Sequence, residues 1–248
     1  MFRHMLRQYV PPGTIRQRSY GVLTSLMVFG FPQPMSNTGL DRRTRRRQET
    51  IEEILTAAIE LMEADGVASL SLSAVARQLG MQPPSIYQYF PSKMAIYDAL
   101  FQRGAEYFRN ARLAANAAAD TEDIRELDVI GVTAFSRWCM ENPVYSQLLF
   151  WRTVPGFAPS PEAFAPAQAA LEDLRQHLQT GVDQGHLRPE AATEEGLALY
   201  TSITAGLVSQ QLANEPDASF EDGRFVRLLP TVLDMFYQYY APPRGNKT

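Results

Sequence analysis

The chain has 248 residues, 45% hydrophobic and 20% charged, a composition suited to one large core or to a small domain beside a larger one. A single cysteine, Cys139, excludes an internal disulfide framework, and three scattered histidines, His4, His177 and His186, offer no metal-ligand cluster. The net charge of −4 argues against a nucleic-acid partner only until it is located: residues 36–95 hold seven basic and seven acidic side chains, residues 96–248 twelve against twenty. An acidic body joined to a locally basic head is compatible with DNA binding, because only the surface facing DNA has to be positive.

Residues 1–34 contain Pro11, Pro12 and Gly13, an apolar run over 21–31, then Pro32 and Pro34. The run is shorter than the roughly twenty apolar residues a membrane helix needs. Arginines precede it, as in a secretory signal, but residues 1–40 are read in preference as a disordered extension or a leader translated upstream of a start at Met35. Arg42, Arg43, Arg45, Arg46 and Arg47 follow as a basic arm, expected to be a solvated segment ahead of the first helix. That helix is predicted over 48–64, because Ile51, Ile54, Leu55, Ala58, Leu61 and Met62 recur at threes and fours. Asp65 and Gly66 end it.

Residues 71–93 read as two short helices joined by a tight turn, and the rest of the chain is organised around them. Ser71 is placed to cap a helix with Val75, Ala76 and Leu79 inward, and Gly80 stands just past its end. Pro83 and Pro84 fit the first turn of the second helix, Ile86 and Phe90 share a face, and Pro91 closes it. This is the geometry that lays a second helix in a DNA major groove. Gln82, Pro83, Ser85 and Gln88 face out toward bases or sugars, and Tyr87 and Tyr89 have hydroxyls for phosphate, with Lys93 following. A surface helical pair that never meets DNA has the same spacing, so the pattern alone leaves both readings open.

The run from Gly66 to Lys93 also resembles the signature of the TetR family of transcriptional regulators. The family pattern has roughly T-x-x-x-I-A, a glycine turn, T-L-Y-x-[HY]-F and S-K; here the matching residues are Ser71, Val75, Ala76, Gly80, Ser85, Ile86, Tyr87, Gln88, Tyr89, Phe90, Ser92 and Lys93. The resemblance implies that Ser71, Ser85, Tyr87, Tyr89 and Lys93 touch phosphates, while Ser73, Gln82, Pro83 and Gln88 occupy the variable base-reading positions. Tyr89 stands where many members have His, and Pro84 where many have Gly. With a reading head beside them, Arg45, Arg46 and Arg47 are expected to follow a minor groove or the phosphate backbone, each neutralised phosphate steepening the log–log salt dependence by about 0.9.

From the fourth helix, predicted over 92–118, the periodicity stays helical to residue 241. Ile96, Ala99, Leu100 and Phe108 give that helix a buried side, and Arg103, Arg109 and Arg112 are assigned to its wet side. The expected fold is therefore all-α: a three-helix head over 41–92 with its helix-turn-helix, a larger helical domain over 93–241, which the resemblance implies is for effector binding and dimerisation, and a disordered tail over 242–248. Phe135, Trp138, Cys139, Tyr145, Leu149, Trp151, Phe157, Phe164, His177 and Tyr200 are candidates for a ligand pocket, although aromatics at helical spacing are more often plain core. Pro230 must kink the last helix or mark its true start. The resemblance implies a homodimer made by the last two helices of each chain, for which Leu197, Thr204, Leu207, Val208, Phe225, Leu229, Val232 and Phe236 are the candidates.

The function expected is that of a cytoplasmic DNA-binding regulator, in this family most often a repressor. It would bind a pseudo-palindromic double-stranded operator as a homodimer and be released by a small, largely apolar effector, with no cofactor, metal or membrane partner. The alternatives are a regulator that needs no ligand, and an enzyme with Cys139 as nucleophile and His177 as base; no orienting third group or glycine-rich turn supports the enzyme.

Overall fold

In a computed structural model of the chain, residues 42–243 are described. The expectations for residues 1–40 and for the end of the chain beyond 243 lie outside them. The described residues from Arg46 onward pack as one compact unit. No strand occurs among the described residues.

The first helix, α1, spans Arg42–Asp65, so the arginines expected as a flexible arm form its first turns instead. Arginine is a good helix former, and nothing between Arg42 and Gln48 breaks the helix. The Gly66 backbone is left-handed at φ 91, where a side chain would be strained, and a 3₁₀ turn, Val67–Ser69, leads onward. Helix α2 is Leu72–Gln78 and α3 is Pro83–Ile86. Between them Gly80 sits at φ 64, with its N–H donating to the Arg77 carbonyl and that of Met81 to the Ala76 carbonyl. These two bonds complete a left-handed helix cap that satisfies the last carbonyls of α2 and turns the chain toward α3.

Two local expectations change here. Ser71 occupies the N-cap position of α2, but its hydroxyl pairs with Ser73 Oγ at 2.8 Å instead of a backbone N–H. Helix α3 is a single turn rather than a helix reaching Pro91; beyond Ile86 the chain continues in short turns, Gln88 donating to the Ser85 carbonyl and Tyr89 to that of Ile86.

Helix α4, Lys93–Ala117, begins at a Ser92 cap whose hydroxyl accepts from the Ala95 N–H, and it runs from the head into the body. The body adds α5 (Ile124–Glu141), α6 (Pro143–Phe150), α7 (Pro161–Asp183), α8 (Glu194–Asn214) and α9 (Leu229–Tyr239). Asp123, Ser160 and Thr193 cap α5, α7 and α8 with side-chain oxygens. Pro230 lies in the first turn of α9 and marks its start, so Phe225 and Leu228 precede the helix.

Two apolar cores result. One gathers Ile54, Leu55, Ala58, Met62, Val75, Ala76, Ile86 and Phe90 of the head with Ile96, Tyr97 and Leu100 of α4, and extends to Val144, Tyr145 and Leu148 of α6. The other packs Leu174, Leu178, Tyr200, Leu229, Leu233, Phe236 and Tyr237 from α7, α8 and α9. Helix α4 takes part in the first core at Tyr97 and is joined to α1 by an Arg103–Glu52 ion pair. Tyr97 is fully buried and donates its hydroxyl to the Val67 carbonyl at 2.7 Å, fixing the turn that leads into α2.

Candidate nucleic-acid interface and effector cavity

The head presents a polar face where α3 and its flanking turns reach solvent. Ser73, Gln82, Pro83, Tyr87, Gln88 and Lys93 are exposed, and Ser71, Ser85 and Tyr89 are partly so. Ile86 and Phe90 point the other way, into the core. Tyr87, at 57% exposure, is a large aromatic held outside just past a one-turn helix, an arrangement that apolar burial alone disfavours. Arg45, Arg46 and Arg47 are exposed along α1.

Arg47 has a local role that the sequence did not reveal. Its Nη1 donates to the Gln88 carbonyl at 3.1 Å, and its guanidinium carbon lies 5.1 Å from the centre of the Tyr89 ring. One arginine thus ties the start of α1 to the turn after α3 and fixes the backbone that carries the exposed Gln88 side chain. The bond joins residues 41 apart in sequence, so no local pattern announces it.

The body contains a cavity of about 290 Å³ in the space between the two cores. Helix α4 lines it with Phe101, Phe108, Arg109, Arg112 and Leu113, α5 with Val132 and Phe135, and α6 with Leu149 and Phe150. Phe164, Leu171, Asp173 and Leu174 of α7 and Tyr200, Thr201 and Thr204 of α8 complete the wall. Phe108, Phe135 and Phe150 meet one another with ring centres 5.7 to 6.0 Å apart.

Four of the ten residues read as pocket candidates, Phe135, Leu149, Phe164 and Tyr200, are on this wall. The other six are not. Trp138 packs between Phe108 and Tyr145, and Tyr145 is buried in the first core. Trp151 donates its indole N–H to Ser209 Oγ at 2.7 Å, and Phe157 fills the space beside Tyr97 and Phe101. Cys139 is fully buried, and burial pushes its thiol up to about 12, leaving it protonated near neutrality and a poor nucleophile. His177 lies with Nε2 3.4 Å from Asp128 Oδ1.

Sequence reasoning missed the α4 contribution because it sent Arg109 and Arg112 to solvent. Phe101, Phe108 and Arg112 recur at seven and four residues, one helical face, and that face turns inward. Arg109 is accommodated by a two-point bond to Asp173 on α7, Nε to Oδ2 at 2.6 Å and Nη2 to Oδ1 at 3.2 Å, which holds its guanidinium above its ordinary pKa.

The face expected to pair two chains is also redistributed. Thr204, Val208, Leu229 and Phe236 are buried in their own chain and have no surface to offer a partner. Leu197, Leu207, Phe225 and Val232 keep partial exposure. The apolar side chains left outermost on α8, on α9 and just before α9 are Leu199, Leu228, Met235 and Tyr239, the last two 63% and 65% exposed.

Residues 54–100 match the family model for bacterial regulatory proteins of the tetR family. The HTH-type transcriptional regulator Rv1816 of Mycobacterium tuberculosis is 32% identical over 153 residues, covering 59% of this chain and 64% of that protein, so the match spans less than two thirds of the relative's length. The class C tetracycline repressor protein of Escherichia coli is 27% identical over 167 residues, 67% of this chain and 68% of that one. Among solved structures, a Rhodococcus protein of unknown function aligns at a TM-score of 0.65 with 18% identity, over 85% of this chain and 100% of its own. The TetR family transcriptional regulator PfmR of Thermus thermophilus aligns at 0.58 with 21% identity, over 77% and 99%. The matched stretch contains the second half of α1, α2, α3, the exposed polar face and the start of α4, so residues 54–100 form a head of the tetR-family type, and the chain shares the all-α fold of these structures.

Proposed function

We propose that the protein is a transcriptional repressor that reads a pseudo-palindromic DNA operator as a homodimer and releases it when a small, largely apolar molecule occupies the body cavity. The observation that carries this reading is the exposed polar face at α3, where Gln82, Pro83, Tyr87 and Gln88 stand outside a core anchored by Ile86 and Phe90. In this reading Gln82, Pro83, Gln88 and Ser73 meet base edges, and Ser71, Ser85, Tyr87, Tyr89, Lys93, Arg45 and Arg46 meet phosphates and sugars. The head comprises residues 41–92 and the effector-binding and dimerising body residues 93–241. The protein acts in the cytoplasm; no helix among the described residues is long and apolar enough to cross a membrane.

Helix α4 supports the release step, because one rigid element takes part in both sites. Tyr97 holds the turn before α2, and Phe101, one helical turn further along, lines the cavity. Phe157 touches both rings, and Asp98 between them accepts from the Ser160 N–H and hydroxyl at 2.7 Å each. A ligand that displaces Phe101 shifts the helix carrying Tyr97. Coupling of about 1–3 kcal/mol through this element changes operator occupancy about 5- to 150-fold, and DNA weakens ligand binding by the same factor.

Selection of bound sequences from random duplex DNA by the purified protein tests the reading without knowledge of the ligand. A pseudo-palindrome with half-sites about 34 Å apart is expected. Enrichment of no motif, with only salt-sensitive background binding, would refute operator recognition.

A further inference from the structure

Arg112 enters the cavity wall without a partner. Among the described residues no carboxylate oxygen lies within 4.0 Å of it, and its guanidinium makes no hydrogen bond to the protein, whereas Arg109 one turn away is matched by Asp173. Its position is built in by a glycine. A Cβ on Gly131 of α5 would lie 3.2 Å from Arg112 Nε and 3.0 Å from Asn116 Oδ1, so the missing side chain is what lets the arginine lie across α5 beside the cavity. Tyr200, also on the wall, donates its hydroxyl to Asp128 Oδ1 at 2.5 Å; that carboxylate is 1% exposed and is not a lining group.

The charge on the lining is therefore two arginines and one aspartate, and the rest is mainly phenylalanine, leucine and alanine. A neutral apolar ligand would strip water from Arg112 and give nothing in return, which is unfavourable for a guanidinium. A dianionic phosphate would bring one charge more than the wall answers. A carboxylate accepts two parallel N–H bonds from one guanidinium and carries a single charge. The volume, about 290 Å³, is at the small end of the roughly 300–1,000 Å³ usual for ligand sites and suits a short apolar body.

We infer that the cavity binds a small organic monocarboxylate, its acid group on Arg112 and its apolar body against Phe108, Phe135 and Phe150. This rests on reading the cavity as the effector site and adds the chemical class of the effector. Arg112 is then the residue that selects acids over neutral molecules of the same shape, and Gly131 is its positioning residue. An alkyl chain and an arylalkyl group both satisfy the argument, so the test includes each.

Calorimetric titration of the full chain at neutral pH, without DNA, tests the assignment with decanoate and 4-phenylbutanoate, each beside its primary alcohol and its primary amine. At least one acid is expected to bind about ten-fold or more tightly than its alcohol, with the amine weakest. Arg112→Gln should bring acid and alcohol together by weakening the acid and, with the guanidinium no longer to be desolvated, holding or tightening the alcohol, and Arg112→Lys should restore part of the gap. Gly131→Ala, which crowds the arginine and keeps its charge, should narrow the gap even if Arg112→Gln folds poorly. Equal affinity for acid and alcohol, an unchanged gap in Arg112→Gln and Gly131→Ala, or no binding of any of the six probes would overturn the inference. Operator binding by the same preparation separates the two claims: a chain that binds its duplex yet shows no preference for acids loses the ligand assignment alone.

Discussion

Gln88 and Tyr87 are adjacent on the same short segment, yet they are assigned different tasks, and substitution separates them. Tyr87→Phe and Lys93→Ala remove phosphate partners and are expected to weaken binding to every duplex, whereas Gln88→Ala should change which base is preferred at one position, at about 1–3 kcal/mol. Binding measured across a panel of single-base operator variants distinguishes the two, and a uniform loss for Gln88→Ala would remove its base-reading role. Cys139 gives a prediction about stability. Its thiol rises from an ordinary 9.0 to about 12 because it is buried, so the folded state favours the protonated form. That contribution is intact below pH 9.0 and is lost as the pH climbs toward about 12, by up to about 1.4 kcal/mol per pH unit. Cys139→Ala should therefore lose stability less steeply than the parent between pH 9 and 11 in denaturant titrations, and parallel curves would contradict the assignment. The exposed face of α3 was legible residue by residue because local spacing settles which side of a short helix is buried. Arg112 was not, since the sequence marks it as charged but not that Gly131 makes room for it inside.

Among the elements, α1 departs furthest from its sequence reading. A run of arginines suggests a solvated arm, but helix propensity and the absence of any breaker carry the helix back to Arg42. The extension brings Arg47 to Gln88, so Arg47→Ala is expected to alter both affinity and sequence preference, whereas Arg46→Ala should lower affinity uniformly and reduce the salt slope by about one. Salt-dependent binding of both variants to matched and mismatched duplexes checks this; equal behaviour would mean that the Arg47 bond positions nothing. Helix α3 is held by burial more than by its own single turn. Ile86→Ala empties a fully buried position and is expected to cost about 2–5 kcal/mol in chemical denaturation, with DNA binding lost alongside. Pro230 was readable as a start-or-kink signal, and its place in the first turn of α9 settles the choice through proline's lack of an N–H.

At the scale of the molecule, the all-α class, the helix-turn-helix and the succession of body helices were legible, because each rests on periodicity and caps within a few residues. The cavity and the outer face were not, since they depend on how helices far apart in sequence pack together, and half of the residues chosen for a dimer interface serve the chain's own core. We propose that the apolar side chains left exposed at Leu199, Leu228, Met235 and Tyr239 meet a second copy. Met235→Asp is expected to shift the protein toward monomer in analytical ultracentrifugation without lowering its helix content, because the side chain is 63% exposed in the single chain. An unchanged dimer would place the interface elsewhere. The most direct measurement for the whole account is stoichiometry and affinity on the selected operator, compared with the same duplex after one half-site is scrambled. Two protomers binding the intact operator together, with a large loss of affinity when either half is scrambled, is the result the account predicts. One protomer per duplex, indifferent to the second half-site, would contradict it.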